Sequence, residues 1–295
     1  MKKLYFLFLA ALNFAACNGG NDYVVGNLDI IEDFQSHFVE NRTIRIWTPD
    51  DYDSNLKYDV IYMHDGQNLF DASLTWNNQE WGVDEVFSDL MNKGEIRPCI
   101  VVGIDNSQFR YEEYYPSAIC ADVPEGVLPE NFKPLGDEYL RFVVEEVKPW
   151  VDANYSTWDG PAHTFVMGSS CGGLISSYAF CKYPEIFGGA ACLSTHSSLM
   201  NPHAMNISQK PASEVYVEYL KKNLPADAEH YLYMDCGDCR IDSAYAESQA
   251  AINEMIARLD WNKNNYQYRF FPGQSHSESD WRSRLDVPVK FLLTK

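Results

Sequence analysis

The stretch His163-Thr164-Phe165-Val166-Met167-Gly168-Ser169-Ser170-Cys171-Gly172 decides the fold. Its first five residues read as a strand, and Leu174 to Cys181 beyond it as a helix. Between them Gly168-Ser169-Ser170-Cys171-Gly172 is a G-x-S-x-G. A serine at the tip of a strand–turn–helix is a nucleophile elbow. The glycines allow the strained dihedrals of a sharp turn and close packing of helix on strand. The hydroxyl of Ser170 then stands clear of the sheet, with a helix N-terminus beneath it.

An elbow fixes where its partners should be sought, in the chain order serine, acid, histidine. Pro272-Gly273-Gln274-Ser275-His276 follows the apolar run Tyr266 to Phe271, so His276 falls in the loop after the last strand, where a general base belongs. Tyr231-Leu232-Tyr233-Met234 reads as the preceding strand, with Asp235 at its end. The loop after it runs to Asp242. Asp238 and Asp242 both lie in that loop, and spacing does not separate them. Asp238 also suits a turn, and Asp242 a helix cap.

Outward from this core, strands and helices alternate. Strands are read at 43–47, 60–63, 99–104, 186–193, 230–234 and 266–271. Helices are read at 81–91, 138–151, 214–224, 243–260 and 278–293. The uninterrupted apolar run Cys99 to Ile104 is that of a central parallel strand. Thr43 to Trp47 reads as an antiparallel edge strand. The pattern implies an α/β fold, a mostly parallel central sheet with helices on both faces. Residues 106–137 and 195–213 break the alternation. Both follow strands, so both belong at the carboxyl end of the sheet, where long loops shape pockets. There Tyr111, Tyr114 and Tyr115 are suited either to stack on a ring or to pack the loop. Arg110 is suited to a substrate carboxylate or to an ion pair with Glu113. His64 and Asp65 are adjacent on a strand and point to opposite faces, which disfavours joint metal ligation.

The 295 residues are 46% hydrophobic and 14% aromatic, enough for a sizeable core, and carry a formal net charge of −19. Nucleic acid and anionic membranes need a basic face and are disfavoured as partners. Lys2 and Lys3 precede an apolar run, Leu4 to Ala11, too short to span a bilayer. Phe14-Ala15-Ala16-Cys17 reads as a lipobox. The expectation is an exported lipoprotein: a signal segment over 1–17 with lipidation at Cys17, a tether over 18–27, and one domain over 28–295. The lipid is its only expected membrane contact. Cys236-Gly237-Asp238-Cys239 lacks a second ligand pair for zinc. It reads as a local disulfide or as two reduced thiols.

Four further segments, in order, resemble the esterase D family of α/β-hydrolases, over about residues 38–293. They are Val60 to Phe70 with its Asp65-Gly66-Gln67-Asn68-Leu69-Phe70, Trp81-Gly82-Val83-Asp84-Glu85, Val101-Val102-Gly103-Ile104 with Arg110 to Pro116, and Gly273 to Glu278 with Trp281. Relatives usually carry Met or Leu where Cys171 stands. Asp242 resembles the aspartate of the family's Gly-Thr-x-x-x-Asp loop, which favours it slightly over Asp238.

The resemblance implies a serine esterase needing no cofactor and no metal. Ser170 attacks, His276 is the base, and Asp242 or Asp238 orients it. The oxyanion donors are the backbone N–H groups of Gln67 and Cys171. Among substrates the resemblance offers acylated carbohydrate, with acetyl or feruloyl esters, ahead of a siderophore trilactone. The latter would want several cations in the pocket, and the loops offer Arg110, Lys133 and Lys210. A silent binding lipoprotein of the same fold is the remaining alternative.

Overall fold

The structure is a computed structural model and describes residues 24–199, 212–226 and 229–294. The expected signal segment, Cys17, most of the tether, His203 and Lys210 lie outside these residues.

Eight strands form one sheet in the order β1-β2-β4-β3-β5-β6-β7-β8. They are β1 (Asn27–Phe34), β2 (Arg42–Thr48), β3 (Asp59–His64), β4 (Cys99–Ile104), β5 (Thr164–Ser169), β6 (Gly189–Leu193), β7 (Tyr231–Cys236) and β8 (Tyr266–Phe270). Pairing is antiparallel for β1–β2 and β2–β4 and parallel for all the rest. Strand periodicity sorts the core into two layers. Val60, Tyr62, Ile100, Val102 and Val166 face one layer. Ile61, Met63, Val101, Phe165 and Met167 face the other. A strand buried on both faces needs apolar residues at successive positions, which is why these runs show no alternation.

The helices are α1 (Val83–Asn92), α2 (Arg110–Tyr114), α3 (Ser117–Cys120), α4 (Gly136–Arg141), α5 (Lys148–Asn154), α6 (Cys171–Lys182), α7 (Ser213–Asn223), α8 (Ala246–Ile256), α9 (Glu278–Arg282) and α10 (Asp286–Leu293). Residues of α4 to α8 fill the first layer. Residues of α1, α9 and α10 fill the second. Because β3 to β8 run parallel, the loops leaving their carboxyl ends gather along one edge of the sheet.

Several expectations from sequence are corrected. The edge strand is β1, and Thr43 to Trp47 lies inside the sheet between β1 and β4. The tether stops short of residue 27. Val25 donates its N–H to Asp84 at 2.8 Å and accepts from the Trp47 indole at 2.6 Å. The helix read at 138–151 spans α4 to α5 with a π-helical stretch, Phe142–Val147, between them. Pro149 lacks the N–H that an α ladder needs at that point. The helix read at 278–293 breaks into α9 and α10. Pro288 is tolerated only because it falls in the first turn of a new helix, where N–H groups lack partners anyway. Residues 106–137 are not irregular throughout, since they hold α2 and α3.

Candidate active site

Ser170 sits between β5 and α6 at φ 57° and ψ −124°, a region L-residues seldom adopt. Glycine is required on either side. A Cβ on Gly168 would lie 2.7 Å from the Gly172 carbonyl carbon, and one on Gly173 2.9 Å from the Thr195 hydroxyl. The strained turn is held by its own backbone. Ser170 N–H donates to Leu193 O at 3.0 Å, and Ser170 O accepts from His196 N–H at 3.0 Å and Leu174 N–H at 3.1 Å. Cys171 heads α6, so its N–H has no acceptor within the helix.

His276 and Asp242 meet. Nδ1 of His276 lies 2.6 Å from Oδ1 of Asp242. The other carboxylate oxygen accepts from Ser194 Oγ at 2.6 Å and Gly237 N–H at 2.8 Å. Burial pushes the Asp242 carboxyl up, but His276, Ser194 and Gly237 outweigh it and hold it below the usual carboxylate range. Asp238 does other work: its Oδ1 accepts Gly273 N–H at 2.7 Å and braces the histidine loop. The N–H groups of Asp238 and Cys239 both donate to Gln274 O. Gly237 packs so closely there that a Cβ would lie 2.1 Å from that oxygen. This clamp presents Asp242, not Asp238, to His276. Cys236 and Cys239 are free thiols.

Among the described residues no hydrogen bond joins Ser170 to His276 directly. Tyr245, fully buried, packs its ring against His276, with centroids 5.8 Å apart, and its hydroxyl is 2.9 Å from His196 Nδ1. Such bonds are often long without substrate and tighten when it binds.

Gln67 lies in a 3-10 turn, Gly66–Asn68, directly after β3. Gly66 presses on the backbone of Gly103 and Ile104, where a Cβ would come within 2.7 Å. Gln67 Oε1 accepts Asn106 N–H at 3.1 Å, which fixes the turn. A Cβ on Gly172 would lie 3.4 Å from His64 Cβ, so the end of β3 meets the head of α6. The N–H groups of Gln67 and Cys171 therefore belong to two turns in contact.

Arg110 is neither free for a carboxylate nor paired with Glu113. It grips Asp65 with two bonds, at 2.6 and 2.7 Å, and Asn106 adds a third to that carboxylate. Glu113 instead receives Arg42 at 2.7 Å in a buried pair. Tyr114 and Tyr115 have no exposed surface and cannot touch substrate. The Tyr114 hydroxyl accepts Asp65 N–H at 3.2 Å and so supports the turn from below. Tyr111 alone of the three is part-exposed, with the Arg110 guanidinium 5.7 Å from its ring centroid.

His64 is fully buried. Its Nδ1 is 2.7 Å from the Tyr139 hydroxyl, and its Nε2 has no hydrogen-bond partner among the described residues. Burial pushes its imidazole down to about 4, against a smaller opposing pull from Asp65. A histidine depressed in the folded state stabilises the fold while neutral. That stability is lost as pH falls from the unfolded value, about 6.5, to about 4, amounting to about 3 kcal/mol. Urea midpoints should fall across this window and fall less in His64→Gln. An identical slope in the variant would remove His64 as the cause.

Sequence reasoning missed Tyr245, Ser194 and Arg284, and gave Trp281 no role beyond its motif. No local pattern marks them, because each acts through contacts made across strands.

The sheet order, the elbow after β5 and the acid and histidine after β7 and β8 define an α/β-hydrolase. The family model described as "Putative esterase" matches residues 36–292, and the chain belongs to that esterase family. It is 25% identical to the uncharacterized protein YbbA of Bacillus subtilis over 161 residues, 54% of this chain and 58% of that one. The chain thus spans less than two thirds of that relative's length. A ferulic acid esterase structure superposes with TM-score 0.65 at 18% identity, covering 92% of this chain and 98% of that one. Enterochelin esterase from Shigella flexneri superposes with TM-score 0.64 at 20% identity, covering 90% and 57%. These two likenesses concern the fold.

Proposed function

We propose that the chain is a serine carboxylic-ester hydrolase that works through an acyl-enzyme, with acylated carbohydrate as substrate. The observation that carries the proposal is the Asp242–His276 bond at 2.6 Å, made on the sheet edge where Ser170 is held in a strained turn. His276 takes the Ser170 proton as Oγ attacks the ester carbonyl. The N–H groups of Gln67 and Cys171 receive the oxyanion, each contributing about 3 kcal/mol. His276 then protonates the leaving alcohol, and water repeats the sequence to free the acid. Asp242 holds the imidazole tautomer and stabilises the imidazolium.

The substrate class is supported by the rim. The excursion from Asp71 to Glu80 leaves the Gln67 turn and docks on the residues after His276, with Asn77 donating to Glu278 at 2.7 Å. It carries Trp76, 85% exposed. Phe109, 39% exposed, stands beside Arg110 on the other segment bonded to that turn. Exposed aromatic faces suit a sugar ring or an aryl acyl group. An anionic ferric trilactone is less well served, because Arg110 is already neutralised by Asp65. We further propose that Cys17 carries a lipid. Detergent-phase partitioning lost in Cys17→Ala would support it, and aqueous partitioning of the unaltered protein would exclude it.

The direct test is hydrolysis of p-nitrophenyl acetate, followed by acetylated and feruloylated oligosaccharides. Absence of turnover on all of them would favour the binding lipoprotein instead. Trp76→Ala is expected to raise KM for the oligosaccharide esters about 5- to 10-fold, the size of one stacking contact. It should leave p-nitrophenyl acetate kinetics unchanged. Equal kinetics on both substrates would remove Trp76 from the site.

A further inference from the structure

Ser194, at the end of β6, carries a hydroxyl with three partners. It lies 2.6 Å from Asp242 Oδ2, 3.0 Å from the Trp281 indole nitrogen and 2.9 Å from Arg284. Indole and guanidinium are donors only. Both lone pairs of Ser194 Oγ are therefore occupied, and its single proton has one acceptor left, the carboxylate of Asp242. The orientation of this hydroxyl follows from the chemistry of its neighbours.

Ser194 is itself rigidly held. Its backbone stands at φ 41°, and its N–H donates to Asp235 O at 3.0 Å and to Asp235 Oδ1 at 3.1 Å. Asp235 is fully buried and pairs with Arg284 at 3.0 Å. Arg284 also binds Gln274, in the loop that carries His276. On the other side Trp281 packs edge-on to the His276 ring, with centroids 5.0 Å apart at 79°. One hydroxyl thus contacts the carboxylate that orients His276, the indole that flanks it and the cation that anchors its loop.

We infer that Ser194 is a positioning residue for the reaction: it orients the Asp242 carboxylate and, through Trp281, the plane of His276. The inference rests on the esterase reading above. It assigns the buried Asp235–Arg284 pair a purpose, which is to fix Ser194 rather than to meet substrate. Charge-assisted donors of this kind are the stronger hydrogen bonds, and leaving buried partners unsatisfied is costly.

The test uses Ser194→Ala and Ser194→Gly in the full chain. The glycine variant relieves the left-handed backbone while removing the same hydroxyl, so it folds even where alanine does not. Both are expected to lower kcat on p-nitrophenyl acetate about 10- to 100-fold with KM unchanged. Independently of turnover, the proton in the His276–Asp242 bond should give a far-downfield NMR resonance. That resonance should shift or vanish in both variants. Wild-type kcat in a folded Ser194→Gly, or an unshifted resonance, would overturn the assignment. A parent protein inactive on every ester tried, whose resonance still responds to Ser194, would sink the esterase reading and leave only Ser194's hold on the His276–Asp242 pair.

Discussion

Ser170→Ala is expected to abolish ester turnover, with kcat on p-nitrophenyl acetate falling by on the order of 10⁶-fold. The size follows from what remains. Without Oγ no acyl-enzyme forms, and His276 has no hydroxyl to deprotonate. The Gln67 and Cys171 donors stay in place, so a residual rate above that of water persists. The fold does not depend on the hydroxyl, because the elbow is held through the N–H and C=O of Ser170. Alanine therefore keeps the structure and loses the chemistry. Ser170→Gly adds a second readout. Glycine accepts φ 57°, ψ −124° without strain, so this variant should be inactive and more stable by about 1–3 kcal/mol. Steady-state rates and thermal melts on the three proteins decide the matter. Retention of more than a few per cent of activity in Ser170→Ala would move the nucleophile elsewhere. An unchanged melt in Ser170→Gly would mean that the turn stores little strain.

The elbow was readable from sequence because its geometry is local. Gly168 and Gly172 lie four residues apart, and the clash that excludes larger side chains is between those two residues. The central strands were readable because burial on both faces writes itself as an unbroken apolar run. β1 was not, since Asn27–Phe34 is half-exposed and carries Asp29, Glu32 and Asp33 among its apolar residues. Arg110 was misassigned for a related reason. Its nearest acids in sequence, Glu112 and Glu113, lie on its own short helix, whereas its partner Asp65 arrives from the turn that follows β3. For Tyr114 and Tyr115 the sequence leaves open whether they stack on a ring or pack the loop, because a segment rich in Tyr and Pro carries no periodicity to decide it. Both rings are buried, Tyr114 against His64 and Tyr139 and Tyr115 against Phe132 and His196. Ser194 was invisible in principle: a lone serine after a strand acquires meaning only when Asp242, Trp281 and Arg284 converge on it.

The choice between Asp238 and Asp242 turned on the docking of two loops, and it gives a sharp contrast in mutants. Asp242→Asn is expected to lower kcat about 10⁴-fold, as does loss of a triad carboxylate generally. Oδ2 is fixed by two donors, Ser194 and Gly237, so the amide oxygen of Asn takes that side. The amide NH₂ must then face Nδ1 of His276. A donor there makes Nδ1 the acceptor and moves the ring proton to Nε2. The nitrogen that must accept the Ser170 proton is then already protonated, and catalysis stops although nothing has moved. Asp238→Asn keeps an oxygen for Gly273 N–H, and among the described residues the carboxylate bonded to His276 is that of Asp242. Activity there should stay within about threefold of the parent, the range of substitutions away from critical contacts. Side-by-side kcat values on p-nitrophenyl acetate check the pair. A large loss in Asp238→Asn with little in Asp242→Asn would reverse the roles and show that the clamp at Gly237 shifts when substrate binds. The expected order instead makes that clamp the reason for the acid's identity. Gly237 against Gln274 sets the loop so that the carboxylate five residues on, rather than the one beside it, reaches the imidazole.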